Sequence, residues 1–366
     1  MKILLITGIY PPDIGGPATY IPKLAKFLQE KGDYVEVLTL RDEGTYHRNY
    51  SPWPINYIER QIPTPLRFLR VAFWIARKGR RFDTIFANGL HEEVALGSIF
   101  SRNRIVAKVV GDPVWERARN TGKTKLEISE FSRIIHFNPA RKFQRKLLVW
   151  SLNQFNEIIA PSQDLINLMT NWGVETNISY VPNGVLVPRL KEVNKKYDLI
   201  SVSRLVPWKN LDLVVKAIAN TDVIFLVVGS GPDQTYLETL AKDLSAKVFF
   251  CGEKTEDEIE ILIQESLAFI QPSSYEGQSF AMLKSMSLGV PCLLSPIQAN
   301  KAVVTDKVDG LLFDSFEVSS IRELILLTLS DKKLRDSIGN SARETISADY
   351  SLDSNLSILY SMVTHD

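Results

Sequence analysis

The sequence predicts an α/β protein built from two doubly wound, Rossmann-like halves. Short apolar runs alternate with amphipathic stretches of helical length along the whole chain, the signature of βαβ units and a parallel sheet. The pattern restarts: Lys195-Lys196-Tyr197-Asp198-Leu199-Ile200-Ser201-Val202 reads as a fresh first strand after a polar, proline-containing stretch. No low-complexity segment interrupts either half.

Taken in order, the chain opens on Lys2–Thr7, an apolar run too short for a signal peptide and well suited to a buried first strand. Further strands are expected over 34–40, 84–87, 105–110, 157–160 and 178–181. The second series is 198–202, 223–228, 247–251, 267–271, 291–294 and 310–313. Helical patterns fall between them, as at 20–31, 211–219, 234–244 and 280–288. The resulting division is a first domain over 1–182, a linker over 183–196, a second domain over 197–350 and a closing segment over 351–366. In doubly wound domains ligands bind outside the carboxyl ends of the strands, where helix N-termini can meet phosphate.

Composition narrows the class. The chain has 366 residues, 43 Lys plus Arg and 42 Asp plus Glu, for a net charge of +1. That balance argues against a nucleic-acid-binding protein and against a charged disordered chain. Two cysteines, Cys251 and Cys292, cannot form a disulfide framework and sit in apolar runs as small core residues. No run approaches the roughly 20 apolar residues that span a bilayer, so a cytoplasmic location is expected. The even total conceals an asymmetry: residues 1–182 carry a net +8 and residues 183–366 a net −7.

Three segments of the second half carry chemistry. Ser203-Arg204-Leu205-Val206-Pro207-Trp208-Lys209-Asn210 follows a strand and precedes a helix. A planar guanidinium and a mobile ammonium there suit a diphosphate, although two solvated loop charges would read the same way. Gly229-Ser230-Gly231-Pro232 also follows a strand and allows a tight turn with close backbone approach, weak evidence alone. Pro272-Ser273-Ser274-Tyr275-Glu276-Gly277-Gln278-Ser279-Phe280 leads into a helix. Glu276 there could accept hydrogen bonds from sugar hydroxyls or serve only as an acid at a helix start.

In this order and at these spacings, the segments resemble the retaining glycosyltransferases of the GT-B fold, specifically glycosyltransferase family 4. The resemblance spans nearly the whole chain. Pro11-Pro12-Asp13-Ile14-Gly15-Gly16 before a helix is similar to the family's glycine loop, and Pro182-Asn183-Gly184-Val185 to its interdomain segment. Arg204 and Lys209 match the basic pair for the donor pyrophosphate, Gly229 and Gly231 the glycine turn, and Glu276-Gly277 the start of the paired-glutamate motif. Leu288-Gly289-Val290-Pro291 and Val308-Asp309-Gly310-Leu311-Leu312 match segments further on. The resemblance implies two Rossmann-like domains facing a cleft and transfer from a nucleotide-diphospho-sugar with retention. It implies a closing helix that crosses back to the first domain. Gly15, Gly16, Arg204, Lys209, Gly229, Gly231, Glu276, Gly277, Gln278, Ser279, Phe280 and Lys284 are then the donor-binding set, with Glu276, Arg204, Lys209 and Asp112 at the reaction.

Two departures stand out. Where the family has a second glutamate, which typically holds the nucleotide ribose, this chain has Lys284. A lysine donates but cannot accept, so ribose recognition differs, Lys284 contacts a phosphate, or the site has decayed. Where many members have a histidine in the first domain, this chain reads Val110-Gly111-Asp112-Pro113-Val114-Trp115-Glu116-Arg117, a pattern similar to that of a bacterial subgroup. Asp112 and Glu116 are the nearest ionisable groups. Asp112 is read as facing the cleft, with an Asp-Pro turn as the plain alternative. Of His47, His91, His136 and His365, only His91 lies just after a strand, as a cleft residue or as a satisfied histidine.

No Asp-x-Asp, cysteine pair or histidine-rich helix supports a metal site; the acidic run at 256–260 reads as a solvated helix start. No cofactor is expected beyond the nucleotide sugar as substrate. Arg204, Lys209 and helix dipoles would stabilise the leaving diphosphate. The acceptor side carries Arg67, Arg70, Arg77, Lys78, Arg80 and Arg81 with no acid among them, and a second cluster at Arg141, Lys142, Arg145 and Lys146. Such helices suit an anionic membrane face and a lipid-linked or cell-surface glycan acceptor, and are equally compatible with snorkelling cations on a half-buried helix. The expected partners are a nucleotide-sugar donor, that acceptor and an inner membrane face, with no nucleic acid. The competing readings are a degenerate GT-B protein that binds a sugar nucleotide or partner without turnover, and a GT-B epimerase, for which the chain has few cleft carboxylates and histidines.

Overall fold

The computed structural model describes residues 1–42, 51–135, 138–190 and 193–364; His47, His136 and His365 lie outside them. The chain runs β1 (Lys2–Thr7), α1 (Gly16–Glu30), β2 (Tyr34–Arg41), β3 (Ile55–Glu59), α2 (Thr64–Lys78), β4 (Thr84–Asn88), α3 (His91–Ser98), β5 (Arg104–Lys108), α4 (Pro113–Asn120), α5 (Ile128–Ile134), α6 (Pro139–Leu152), β6 (Glu157–Ala160), α7 (Gln163–Trp172) and β7 (Ile178–Tyr180). It continues β8 (Tyr197–Val202), α8 (Leu211–Ala217), β9 (Phe225–Val228), α9 (Gln234–Asp243), β10 (Val248–Phe250), α10 (Glu256–Gln264), β11 (Ser266–Gln271), α11 (Phe280–Ser287), β12 (Cys292–Leu294), α12 (Gln298–Lys301), β13 (Leu311–Leu312), α13 (Val318–Ser330), α14 (Lys332–Asp349) and α15 (Leu352–Thr364).

Two parallel sheets result, ordered β3-β2-β1-β4-β5-β6-β7 and β10-β9-β8-β11-β12-β13. In each, the first strand of the series lies inside the sheet with strands added on both sides. Both faces are covered, so the strands are near-continuously apolar: Ile3 to Ile6 and Phe225 to Val228 are all buried. In the second sheet Ile200, Leu226 and Phe269 pack with Met286 of α11 into one core, and Leu199, Phe225, Ala268 and Ile270 into another. Local chemistry sets the helix starts. Ser162 accepts from the Leu165 amide at α7, and Thr255 and Glu258 form a reciprocal capping box at α10. Cys251 and Cys292 are free, and burial pushes the Cys292 thiol up.

β3 has no counterpart among the strands expected from sequence. Of its residues only Ile58 is buried, so the strand lacks an apolar run and exists through its pairing with β2. β9 begins at Phe225 instead of residue 223, because the Ile224 amide bonds the Asp198 carboxylate at 2.7 Å.

The described chain divides into two compact units that do not follow chain order. One holds Met1–Val110, Phe131–Val181 and Leu356–Asp366; the other holds Gly111–Glu130 and Pro182–Asn355. The C-terminal residues pack within the first unit: Thr84 donates to the Val363 carbonyl at 2.9 Å, and Arg104 Nε to the Met362 carbonyl at 3.1 Å. Tyr360 meets Phe27 edge-on.

The first unit buries a lysine. Lys108 ends β5 and is 1% exposed. Its Nζ lies 3.7 Å from the Tyr20 ring centroid and has no hydrogen-bond partner among the described residues. Burial lowers its ammonium to about 7, far below the unfolded value. Folding therefore releases a proton between pH 7 and about 10.4, and the lysine destabilises most fully below pH 7. Lys108→Met is expected to raise stability at pH 6 by ~1–3 kcal/mol, with the gain shrinking as pH rises towards 10. Thermal melts of both proteins at pH 6, 8 and 9.5 check this; no gain at pH 6 would refute it.

Candidate functional site

In the second unit the three chemistry-bearing segments follow β8, β9 and β11, which are neighbours in the sheet. Parallel pairing of β8 with both others brings all three carboxyl ends to one edge, and the order reverses direction there, at the switch point where doubly wound sheets bind ligands. Residues as far as 67 apart in sequence thus meet.

Arg204 leaves the end of β8 and is exposed; Lys209 closes a 3-10 turn over Pro207–Lys209 and is largely buried. Gly229 and Gly231 set how close this loop lies. Gly229 has φ +127°, and a Cβ there would stand 1.9 Å from the Ser203 carbonyl oxygen; a Cβ on Gly231 would stand 2.2 Å from that of Leu205. The Leu205 amide donates to the Ser230 carbonyl at 2.9 Å. The glycines admit the backbone of the cationic loop, a role visible without any ligand.

The loop after β11 is tied to the same turn. The Ser274 amide donates to the Trp208 carbonyl at 2.8 Å, and Asn210 Nδ2 to the Pro272 carbonyl at 3.0 Å. Lys209 Nζ meets Glu276 Oε1 at 2.5 Å, with both side chains mostly buried. Gly277 follows, and Gln278 is turned to the interdomain segment: its Oε1 accepts from the Asn183 amide at 2.5 Å and its carbonyl from Asn183 Nδ2 at 3.2 Å. Ser279 caps α11 by accepting from the Met282 amide at 3.2 Å, and Phe280 opens the helix, half-buried. Lys284, one turn in, pairs with Glu260 of α10 at 2.5 Å. Ser203 Oγ, Ser273 Oγ and Gln278 Nε2 are buried with no hydrogen-bond partner among the described residues. They lie at the carboxyl ends of the strands, the edge at which doubly wound sheets bind ligands.

α4 completes this site from the first half of the sequence. Asp112 is wholly buried, and its Oδ1 accepts from the Val114 and Trp115 amides at 3.0 and 3.1 Å. It is the N-cap of α4. Both capping bonds turn its Oδ1 into the helix start, whereas the sequence suggests a carboxylate facing the cleft. Trp115, 0% exposed, is the wedge. Its ring lies 5.1 Å from Trp208 and 5.1 Å from Tyr275, while its Nε1 donates to the Leu126 carbonyl at 2.9 Å. One indole thus fixes the residues preceding both Lys209 and Glu276. Glu116 folds back over Gly111, where a Cβ would stand 2.3 Å from Glu116 Oε1. Burial, then the Asp112 charge, push the Glu116 carboxyl up to about 7 against the pull of Arg204 and Lys209. Burial chiefly, with the carboxylates around it, holds the Tyr275 phenol well above its ordinary range. The joint role of Trp115, Trp208 and Tyr275 has no sequence signal, because nothing local links residue 115 to residue 275.

Gly15 and Gly16 belong to the first unit, at the turn before α1, where Gly15 is the N-cap residue and Gly16 the first of the helix. Arg60 braces that turn through Asp13 at 2.5 Å and also reaches Asp42 at 2.5 Å. His91 is a satisfied, buried histidine: the Gly89 amide donates to its Nε2 at 3.3 Å, Phe155 meets its ring edge-on, and burial lowers it.

Comparisons with known proteins agree with this geometry. A family model described as Glycosyltransferase Family 4 matches residues 14–187, and one described as Glycosyl transferases group 1 matches residues 186–345. A GDP-mannose-dependent monoacylated alpha-(1-6)-phosphatidylinositol monomannoside mannosyltransferase of Corynebacterium glutamicum is 30% identical over 385 residues, covering 96% of this chain and 94% of the relative. The chain belongs to glycosyltransferase family 4. An alpha-monoglucosyldiacylglycerol synthase of Streptococcus pneumoniae is 25% identical to this glycosyltransferase, covering 86% of the chain and 75% of the relative. The fold is that of a GT-B enzyme. The crystal structure of Anabaena HepE with UDP and glucose superposes with a TM-score of 0.81 at 18% identity, over 100% of both chains.

The glycine contacts make a direct prediction for the glycosyltransferase. Gly229→Ala is expected to destabilise by about 1–3 kcal/mol or more through overpacking against the Ser203 carbonyl and to displace the Arg204 loop. Gly252→Ala, with open space around its Cβ position, controls for the cost of positive φ. Equal melting of the two variants would contradict the assigned role.

Proposed function

We propose that this glycosyltransferase binds the diphosphate of a nucleotide-diphospho-sugar at the edge formed by β8, β9 and β11, and transfers the sugar with retention to a hydroxyl of a lipid-linked or glycan acceptor. The carrying observation is the largely buried Lys209–Glu276 pair at the strand ends, on the loop that also carries Arg204. Arg204 and Lys209 supply positive charge to the leaving diphosphate in place of a bound cation, and such charge stabilisation commonly outweighs every other contribution to the rate. Glu276, released from Lys209 as the phosphate arrives, turns to the sugar hydroxyls. The Gly277 backbone and the start of α11, with Ser279 and Phe280, take the phosphate side, and Gly15 and Gly16 provide the glycine turn of the first unit. Asp112 acts by holding α4 under the site. In a front-face transfer the leaving phosphate takes the acceptor proton, so the protein needs no separate base.

Lys284 is the one residue that favours a decayed site. Its ammonium carries the Glu260 carboxylate at 2.5 Å, so a carboxylate is still present beside α11, supplied from α10. We adopt the enzyme, a reading supported by the family match and by relatives named as transferases. HepE structures hold UDP and UDP-glucose and the Corynebacterium relative is named for GDP-mannose, so uridine and guanosine sugars are the first donors to test. A donor at one hundred times its Kd should stabilise the protein by ~2.7 kcal/mol in a thermal-shift panel. Arg204→Ala and Glu276→Ala are each expected to lower transfer about 100-fold or more while leaving the fold intact. Proton NMR of the product reads the anomeric configuration; an inverted product would refute retention.

α2 supports the acceptor reading. It buries Val71, Ala72 and Ile75 and turns Leu66, Leu69 and Phe73 outward at 61%, 57% and 65% exposure, on the face that carries Arg70 and Arg77. Arg67 and Arg81 are engaged locally, with the Arg60 carbonyl and Glu36. A snorkelling helix would hide its apolar residues; this one exposes them between cations, which suits an anionic bilayer. No helix among the described residues is long and apolar enough to cross a membrane. The chain is expected to co-sediment with phosphatidylglycerol vesicles at low salt, and Leu69→Asp with Phe73→Asp to abolish this. Absence of binding, or equal binding to phosphatidylcholine alone, would refute the membrane proposal.

A further inference from the structure

We propose that Glu116 is a positioning residue of the donor site, whose carboxyl takes up a proton when a diphosphate settles between Arg204 and Lys209. The proposal rests on the donor-site reading above and adds a residue, on α4, that no motif of that reading includes.

The placement is built. Asp112 caps α4, Trp115 wedges it between Trp208 and Tyr275, and Gly111 leaves the space into which the Glu116 carboxylate folds. Replacing Gly111 by any other residue would put a Cβ on that carboxylate. The groups facing Glu116 come from three segments: Asp112 on its own helix, Arg204 and Lys209 from the loop after β8, and Tyr275 and Glu276 from the loop after β11. Without a ligand, two cations hold the balance against two other carboxylates. Burial and the neighbouring carboxylates push the Glu116 carboxyl up to about 7 against the two cations.

A diphosphate changes that balance in one direction. It neutralises Arg204 and Lys209, brings its own negative charge and excludes water. Each of these disfavours a second anion at Glu116. The neutral carboxyl has an O–H to donate, where a carboxylate could only accept and repel. The complex therefore holds more protons than the free protein, so affinity rises as pH falls. Above neutrality, donor binding has to draw a proton from solution, and affinity declines as that proton becomes scarce.

The test is titration calorimetry of the full chain with UDP-glucose, UDP-N-acetylglucosamine and GDP-mannose. Their diphosphate diesters have no ionisation near pH 7. Titrations at pH 6.5, 7.5 and 8.5 in two buffers of different ionisation enthalpy measure proton uptake directly. The wild type is expected to take up about half a proton or more at pH 7.5, and to lose several-fold in affinity for each pH unit above that. Glu116→Gln, isosteric and permanently neutral, is expected to bind without uptake and with a flat profile, at or above the wild-type affinity at pH 8.5. Uptake that persists in Glu116→Gln, or wild-type binding with no uptake, overturns the proposal and leaves the donor site standing. If none of the three donors binds the wild type at any pH, the donor-site reading fails and the proposal with it.

Discussion

Parallel strands deliver all their carboxyl ends to one edge of a sheet, and in the second unit β8 lies between β9 and β11. Everything chemical in that unit depends on this constraint. It brings Arg204 and Lys209, the Gly229–Gly231 turn and the Glu276 loop together although long stretches of helix separate them in sequence. The glycines then let the loops pack backbone to backbone, and the hydrogen bonds from Ser274 to Trp208 and from Asn210 to Pro272 lock two loops into one surface. The site is a property of strand order first and of side chains second.

α4 adds a second layer of constraint. Trp115 buries a large apolar surface against Trp208 and Tyr275, each next to one partner of the Lys209–Glu276 pair. Trp115 meets Tyr275 edge-on and Trp208 at a tilt, and such aromatic contacts fix the backbone on either side of the largely buried ion pair. The charged residues are thus positioned by apolar neighbours. The same packing dehydrates Glu116 enough to leave its charge conditional on what occupies the site.

Lys284, at the position where the family has a second glutamate, is held in place by an acid of the neighbouring helix. Its ammonium on α11 pairs with the Glu260 carboxylate on α10. The pairing is possible because α10 ends where β11 begins, so the two helices flank the same strand and one turn of each meets.

The sequence by itself determined the two α/β halves, most strands to within a residue or two, the family, and the three loops at strand ends. Those features are written locally, in the alternation of apolar runs with helical periodicity and in glycines and cations placed directly after a strand. Only the tertiary structure decided that residues 111–130 belong with the second half, that Asp112 caps a helix, that Lys284 already has Glu260, and that Trp115 organises the site. It also revealed β3, whose residues carry no run of buried apolar side chains and which forms only because β2 offers an edge. These depend on contacts between residues far apart in the chain, and pairwise burial and charge at such distances leave no periodic trace in one sequence.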